Sequence, residues 1–258
     1  MRTCVLGSGS RGNTVIVATS RVRVLVDCGF NFKETKARMA AAGLAGERVD
    51  AVLLTHEHQD HVSGAAVCSN GFQAPVYATP ATRDAARKAL AKESRPESLD
   101  GARELVLGDL TIEPIRKIHD AADPLGFLFH QGGATLGVFT DLGRVDDVVG
   151  RAIARCDTLL FEANHDPERL RRGPYPPSVK ARISGGEGHL SNRQAAEAVR
   201  RYATTRLKRL VVCHLSETNN TPEDVRREFV ATLGPPGACE RRWSFQSRPT
   251  PVFLVETG

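Results

Sequence analysis

The chain has 258 residues, enough to bury a full core, and its 41% hydrophobic and 25% charged residues are typical of globular proteins. Its first residues contain neither the apolar segment nor the cleavage site of a secretory signal. No apolar run approaches the ~18 residues that a membrane span requires. These features disfavour the disordered, secreted and membrane-embedded classes, and we expect a cytoplasmic protein.

Charge and cysteine content restrict the class of protein less than size and composition do. Basic residues outnumber acidic residues by 35 to 30, for a formal charge of +5 and a pI near 9.0. This surplus suits an anionic partner such as nucleic acid, but the arginine-rich codon usage of GC-rich genomes explains it equally well. The six cysteines form no C-x-x-C pair, so we interpret them as reduced core residues. Cys28 and Cys213 adjoin candidate site residues, yet better metal ligands stand beside them.

The first half of the chain alternates short apolar runs with turns. These runs predict strands at Thr3–Leu6, Thr14–Val17, Val22–Val26, Asp50–Leu54 and Val76–Ala78. A helix is predicted over Asn31–Ala42, ended by Gly43. A second helix is predicted from the cap Thr79, with Pro80 at its first position, to about Ala91.

The second half has a similar order. Strands are predicted at Glu104–Leu107, Leu110–Ile118, Gly126–His130, Ala134–Thr140, Thr158–Glu162 and Leu210–Cys213. Helices are predicted at Val145–Ala154, after a capping box formed by Ser191 and Gln194, and between Thr221 and Gly234. The Pro-rich stretch 173–177 is predicted to be a loop. Strands with interspersed helices, repeated twice, indicate an α/β protein with two packed sheets, and we expect a single domain over 1–258.

The densest group of potential ligands follows the predicted strand Asp50–Leu54. The sequence THEHQDH places His56, His58, Asp60 and His61 within six residues. Residues two apart on an extended turn point the same way, so His56 and His58 can share one ion, while Asp60 and His61 can face a second. Imidazole and carboxylate donors suit Zn²⁺, Mn²⁺ or Fe²⁺. The alternatives, surface histidines or Asp60 as a helix cap, fit such a density poorly.

The motif H-x-H-x-D-H after an apolar strand resembles the signature of the metallo-β-lactamase superfamily, and the rest of that pattern follows in order. Asp27 matches the aspartate that braces the metal loop, and His119 matches the third ligand of the first ion. Asp141 matches the carboxylate that bridges both ions, and His214 matches the last ligand of the second. The resemblance implies an αββα four-layer sandwich, in which two mixed β-sheets pack face to face with helices outside.

The resemblance also implies two divalent ions per chain, zinc or manganese, with iron as the alternative. The first would be held by His56, His58 and His119, the second by Asp60, His61 and His214, and Asp141 would contact both. Asp141 stands where true β-lactamases of this fold carry a cysteine, and an aspartate there is the pattern of hydrolases and nucleases. Two ions ~3.5–4 Å apart can share a hydroxide nucleophile and stabilise a phosphoryl oxyanion. Phosphodiester hydrolysis is therefore favoured over antibiotic hydrolysis.

A second pair of residues points to proton transfer. Glu162 stands in FEANHD, and His189 precedes the capped helix in GHLSN. This arrangement resembles tRNase Z, in which such a glutamate and histidine form a proton-shuttling pair, and an imidazole oriented by a carboxylate can act as a general acid near neutral pH. Asp60, Glu162 and His189 are the predicted catalytic residues. The alternative is that His189 only packs at a helix start.

Further motifs resemble the YycJ (WalJ) family of bacterial exonucleases. They are SGSRGN (8–13), LLTHEHQDHVSG, HDAADPLGF, FTDLG, FEANHD and HLSETNN. This resemblance implies 5′→3′ degradation of double-stranded DNA, with a place in mismatch repair. The sequence shows neither the long arm of tRNase Z nor the inserted domain of RNase J-type enzymes, which disfavours tRNA processing and RNA decay.

Substrate contacts are less distinct in the sequence. Ser8, Ser10 and Asn13, together with His189 at its helix start, could contact a phosphate, or the glycine-rich 8–13 stretch could be only a strand turn. A basic segment between Glu162 and His189 could hold backbone phosphates or be merely solvated; it contains Arg169, Arg171, Arg172, Lys180 and Arg182.

Three other functions remain open at this point. A phosphodiesterase of small molecules or cyclic phosphates would use the same ligands in a smaller pocket. Thioester or lactone hydrolysis suits the ions but leaves Glu162 and His189 without a role. A non-catalytic metal-binding module would need neither of these two residues.

Overall fold

The computed structural model describes residues 1–257 and contains two seven-stranded mixed sheets. The first has the order β14-β1-β2-β3-β4-β5-β6. Its strands are β1 (Arg2–Gly7), β2 (Thr14–Ala18), β3 (Arg23–Val26), β4 (Ala51–Leu53), β5 (Val76–Ala78), β6 (Pro96–Ser98) and β14 (Phe253–Leu254). Pairing is antiparallel from β14 to β3 and parallel from β3 to β6. The pairing of β14 with β1 joins the two ends of the described chain, and the single domain over 1–258 stays a prediction.

The second sheet has the order β13-β12-β11-β10-β9-β8-β7. Its strands are β7 (Leu105–Leu107), β8 (Leu110–Arg116), β9 (Leu125–Gln131), β10 (Ala134–Phe139), β11 (Thr158–Glu162), β12 (Arg209–Cys213) and β13 (Glu240–Trp243). Strands β7 to β10 form an antiparallel meander, and β10 to β13 are parallel. The carboxyl ends of the parallel strands therefore meet at one edge, where ligands usually bind.

Helices cover the outer faces of both sheets. They are α1 (Phe32–Ala41), α2 (Gln59–Val62), α3 (Ala65–Phe72), α4 (Pro80–Ala85), α5 (Asp147–Ile153), α6 (Pro167–Arg172), α7 (Pro177–Ser184), α8 (Asn192–Tyr202) and α9 (Pro222–Leu233). The predicted caps are present: Thr79 accepts from the backbone of Thr82, and Ser191 and Gln194 form a reciprocal capping box. None of these helices is long and apolar enough to cross a membrane.

Three groups of buried apolar side chains account for the layers. One lies between the sheets and includes Val24, Phe127 and Val211. A second joins the outer face of the second sheet to α5, α8 and α9, with Phe229 fully buried. A third joins the first sheet to α1 and α3 through residues such as Met39. This is the αββα sandwich that the resemblance implied, and the prediction is confirmed.

The structure departs from the predicted elements in a few places. Regular helix α4 ends at Ala85 instead of Ala91, although a bond from the Leu90 amide to the Ala86 carbonyl continues the turn and both side chains stay buried. Residues 173–176 of the predicted loop do form a loop, but Pro177 begins α7. Because proline at a first helical position loses no hydrogen bond, it starts a helix as readily as it ends one.

Candidate active site

Three histidines converge where β4 and β8 end. His56 and His58 follow β4, and His119 follows β8. The His56 Nε2 atom lies 3.1 Å from His58 Nδ1, which lies 3.2 Å from His119 Nε2. These three nitrogen atoms are close enough to share one ion, as the sequence predicted.

A second group adjoins the first and consists of Asp60, His61, Asp141 and His214. The His61 Nε2 atom lies 3.1 Å from Asp141 Oδ2 and 3.5 Å from Asp60 Oδ2. His214 Nε2 lies 3.7 Å from Asp60 Oδ2. The other oxygen of Asp141 lies 4.0 Å from His119 Nε2, so this carboxylate stands between the two groups.

Two buried atoms of these groups test whether a cation fits. Asp141 Oδ2 and His214 Nε2 have no hydrogen-bond partner among the described residues, although both are inaccessible to solvent. A buried polar atom without a partner costs free energy, and a shared cation removes that cost for both atoms. Because the donors are imidazole nitrogens and carboxylate oxygens, the groups are suited to binding divalent metal ions.

Hydrogen bonds behind the ligands fix their orientation. Asp27 accepts from His61 Nδ1 at 2.7 Å and from the Thr55 amide at 2.8 Å. The Thr55 hydroxyl donates to Asp27 at 2.9 Å and accepts from His56 Nδ1 at 2.8 Å. His119 Nδ1 donates to the Gly188 carbonyl at 3.0 Å. The three bonds made by ring nitrogens leave the opposite nitrogen, Nε2, directed into the ligand groups, as such supporting partners do in metalloproteins.

The backbone is left-handed at three of these positions. Asp27, Asp141 and His214 have φ values of 59°, 57° and 56°. Residues other than glycine rarely adopt this conformation, and when they do they cluster at functional sites. Behind Asp141, the buried ammonium of Lys117 donates to the carbonyls of Thr140 at 2.6 Å and of Asp141 at 2.9 Å. These two bonds therefore hold the turn that carries Asp141.

Protonation differs between the two groups. Burial lowers the pKa of His56 well below its ordinary value and that of His119 to about 4, so both imidazoles are neutral and able to ligate. Burial also acts against the charged form of His214, but the carboxylates of Asp141, Asp60 and Glu162 raise its pKa to about 10. Since a ligand must be deprotonated, a cation entering the second group displaces protons.

Comparison with known proteins shows which family the chain belongs to. Residues 22–215 match the model of the beta-lactamase superfamily domain. The chain belongs to the metallo-β-lactamase superfamily. It is 36% identical over 233 residues to exodeoxyribonuclease YycJ of Bacillus anthracis, which covers 89% of this chain and 88% of that protein. Exodeoxyribonuclease WalJ of Streptococcus pneumoniae gives the same identity, with 89% and 87% covered. The predicted YycJ (WalJ) family is thus confirmed.

A solved structure supports the fold of this superfamily member. The metallo-β-lactamase fold protein YhfI from Bacillus subtilis aligns with a TM-score of 0.71 at 17% identity, covering 96% of this chain and 98% of that chain. The likeness shows the shared fold. The family match identifies the chain as a metal-dependent hydrolase.

Beside the metal ligands of this superfamily member lies the predicted proton-transfer pair. Glu162, fully buried at the end of β11, accepts from the Leu190 amide at 2.8 Å and lies 3.3 Å from His189 Nδ1. It also accepts from the amide of Asp141 and lies 3.2 Å from His214 Nδ1. Burial alone would raise the pKa of Glu162, but His189 and His214 lower it to about 2, so it is a carboxylate. Glu162 therefore orients His189 through the Nδ1 atom of its ring.

The residues predicted to contact phosphate differ in burial and in the partners that they contact. Ser8 donates to Asn13 Oδ1 at 2.9 Å and accepts from the His214 amide at 3.0 Å. The side-chain amide of Asn13 lies 3.1 Å from Asp60 Oδ2 and 3.0 Å from His61 Nε2. Both side chains are buried and support the second ligand group, whereas Ser10 is exposed. A phosphate contact by any of the three stays a prediction.

Sequence reasoning missed two polar residues of the site. Lys117 lies inside the predicted strand Leu110–Ile118 and was given no role, although its position two residues before His119 was the available signal. Asp120 adjoins His119 directly, and its Oδ1 atom lies 3.4 Å from His119 Nε2. No cysteine belongs to a ligand group among residues 1–257, so Cys28 and Cys213 are the buried thiols that the sequence favoured.

Proposed function

We propose that this hydrolase is a 5′→3′ exonuclease that degrades double-stranded DNA. The observation that carries the proposal is the position of His189, which Glu162 holds with its Nδ1 atom 3.9 Å from Asp141 Oδ1, beside both ligand groups. A general acid next to a potential dinuclear site is what phosphodiester cleavage requires, because the departing alkoxide must be protonated. The relatives' names, both exodeoxyribonucleases, support DNA as the substrate.

The ligand groups would hold two divalent ions: His56, His58 and His119 the first, Asp60, His61 and His214 the second, and Asp141 both. When bound, such ions activate water and polarise a phosphoryl oxygen. Zinc and manganese suit this donor set best, with iron as the alternative.

The side chains of the chain itself carry out the rest of the reaction. As water adds to phosphorus and releases one proton to solvent, the bond from phosphorus to the leaving sugar oxygen breaks, and that oxygen takes the proton from His189 Nε2. Glu162 keeps the ring oriented through Nδ1 and stabilises the charged imidazole before transfer. Asp60 would act as a ligand in the second group, with His61 and His214. The proton returns to His189 from solvent, to which its side chain is 14% exposed.

End-labelled duplex DNA tests polarity and substrate together. A 5′ label should be released as very short products from the start, while a 3′ label should first appear on progressively shortened strands. Parallel reactions use Zn²⁺, Mn²⁺ or Fe²⁺, with single-stranded DNA, RNA and cyclic nucleotides as competing substrates. Stepwise shortening of the 5′-labelled strand would contradict the proposed polarity. Cleavage of cyclic nucleotides alone would contradict the nuclease function and favour the small-molecule phosphodiesterase. A role in mismatch repair and a cytoplasmic location stay predictions.

A further inference from the structure

The five basic side chains of α6 and α7 differ in the partners that they contact. Four of the five cations bond within the segment or to α9. Arg169 pairs with Asp224, Arg171 and Arg172 pair with Glu168, and Lys180 donates to the Arg171 carbonyl. Arg182 differs, because its Nε atom lies 2.5 Å from Oδ2 of Asp120, the neighbour of a metal ligand. Of the five, Arg182 is therefore the one tied to the site.

Backbone contacts place Arg182 between His119 and His189. A Cβ atom added to Gly188 would lie 2.0 Å from the Arg182 carbonyl oxygen, so the last turn of α7 packs directly on the backbone before His189. The His189 amide donates to the Ile183 carbonyl at 2.8 Å in the same turn. On the other side, the Asp120 carboxylate lies between the two residues: Oδ2 bonds to the guanidinium, and Oδ1 lies 3.4 Å from His119 Nε2.

The contact with Asp120 fixes the guanidinium of Arg182 but uses only its Nε atom. Among residues 1–257 its hydrogen bonding is confined to Nε, and the side chain is 54% exposed. No residue of α7 is buried, so the guanidinium lies on an exposed helix. A guanidinium that a carboxylate fixes along one edge keeps its other N–H groups preoriented, and that geometry matches two oxygens of a phosphate.

We propose that Arg182 binds the backbone phosphate next to the scissile one, on the side of the first ligand group. The proposal rests on the proposed nuclease function, since a nucleic acid strand carries a second phosphodiester next to the scissile one. Asp120 is then a positioning residue that aims Arg182. This contact would make the site prefer a strand over an isolated phosphodiester, a preference that the metal ligands alone cannot give.

The test compares two substrates in the metal-loaded enzyme. Arg182→Ala should raise KM for duplex DNA ~10-fold, the value of one charge-assisted contact, with kcat changed less than twofold. Its kcat/KM for bis(p-nitrophenyl) phosphate, which has no neighbouring phosphate, should stay within twofold of wild type. The salt dependence of DNA binding should weaken by roughly 0.7–0.9 in the log–log slope, as for the loss of one phosphate contact. Arg182→Lys should restore the slope but only part of KM, because a lysine lacks the planar fork.

Arg155→Ala is the matched control, since Arg155 is 50% exposed and pairs at 2.6 Å with Glu113, a residue outside the ligand groups. It removes the same charge and should leave KM for DNA within twofold. Equal losses on both substrates by Arg182→Ala, or an unchanged KM for DNA, would overturn the assignment. The two failures are distinguishable: a wild-type enzyme that cleaves the aryl ester but not DNA contradicts the nuclease function itself. An active wild-type nuclease with an unaffected variant contradicts only the role of Arg182.

Discussion

Replacing Lys117 by methionine tests how the turn that carries Asp141 is held. The ammonium lies buried between the strand ends and donates to two carbonyls, at 2.6 and 2.9 Å. Burial lowers the pKa of Lys117, whereas the carboxylates of Asp141 and Glu162 favour its charged form. Methionine fills a similar volume but offers no donor, so both carbonyls lose their partner.

The expected magnitude follows from these two contacts. A buried acceptor left without a partner costs ~1–3 kcal/mol, so two cost roughly 2–6 kcal/mol, partly offset because an ammonium is no longer buried. We expect the metal-free protein to lose about 2–4 kcal/mol, or roughly 5–15 °C in Tm for a chain of this size. Since Asp141 would no longer be fixed in its left-handed conformation, metal affinity should fall ~10–100-fold, as for other residues behind metal ligands.

Two measurements separate these effects. Urea unfolding in the presence of a chelator gives the stability of the metal-free protein, and competition with a coloured chelator gives metal affinity. Lys208→Met is the control, because Lys208 donates to a single carbonyl, that of Thr205, at an exposed position. Loss of stability with unchanged metal affinity would refute the link from Lys117 to Asp141. No loss of either would refute the contact.

Three other substitutions and one labelling experiment have defined outcomes. Asp60→Ala should lower the metal content from two ions per chain to one; two ions retained would contradict the ligand assignment. His189→Ala should keep both ions and slow DNA hydrolysis ~10²–10⁴-fold, with a smaller loss on a nitrophenyl phosphodiester, and equal losses would make it a binding residue. Ser191→Ala should cost ~1 kcal/mol in urea unfolding, because it removes the helix cap. A thiol reagent at pH 8 should label only Cys239 in the folded protein, because the other five thiols are buried; a second labelled cysteine would disprove this.

The sequence predicted those elements whose apolar residues are large and periodic. Strands β5 and β11 have the predicted bounds: β11 is a continuous buried run, and β5 is a short apolar run between Pro75 and Pro80. Helix α3 was missed because it buries small side chains, such as Ala65 and Cys68, which give a weak pattern. Helix α7 buries nothing and so has no apolar period at all. The edge strands β6, β13 and β14 are short, and their alternation is incomplete.

The same contrast applies to the site. His56, His58, Asp60 and His61 are close in sequence and chemically distinctive, so their convergence could be predicted. The contact of Arg182 with Asp120 joins residues 62 positions apart, and nothing local to either residue indicates the other. The role of Lys117 likewise depends on the path of the backbone after β10. Contacts of this kind arise from the packing of loops, which a single sequence does not encode in any periodic pattern.

The left-handed backbone at Asp27, Asp141 and His214 has a consequence for the lifetime of the protein. Each such residue costs ~1–3 kcal/mol, and two of the three are potential ligands that bound ions would hold in place. Without ions, these turns should open locally more often and expose the loops after β10 and β12 to proteases. We expect a chelator to shorten the half-life of the folded chain under limited proteolysis, with the first cuts in these loops; unchanged cutting would disprove this. Metal supply would then govern how much of the enzyme persists in a cell, in addition to how fast it works.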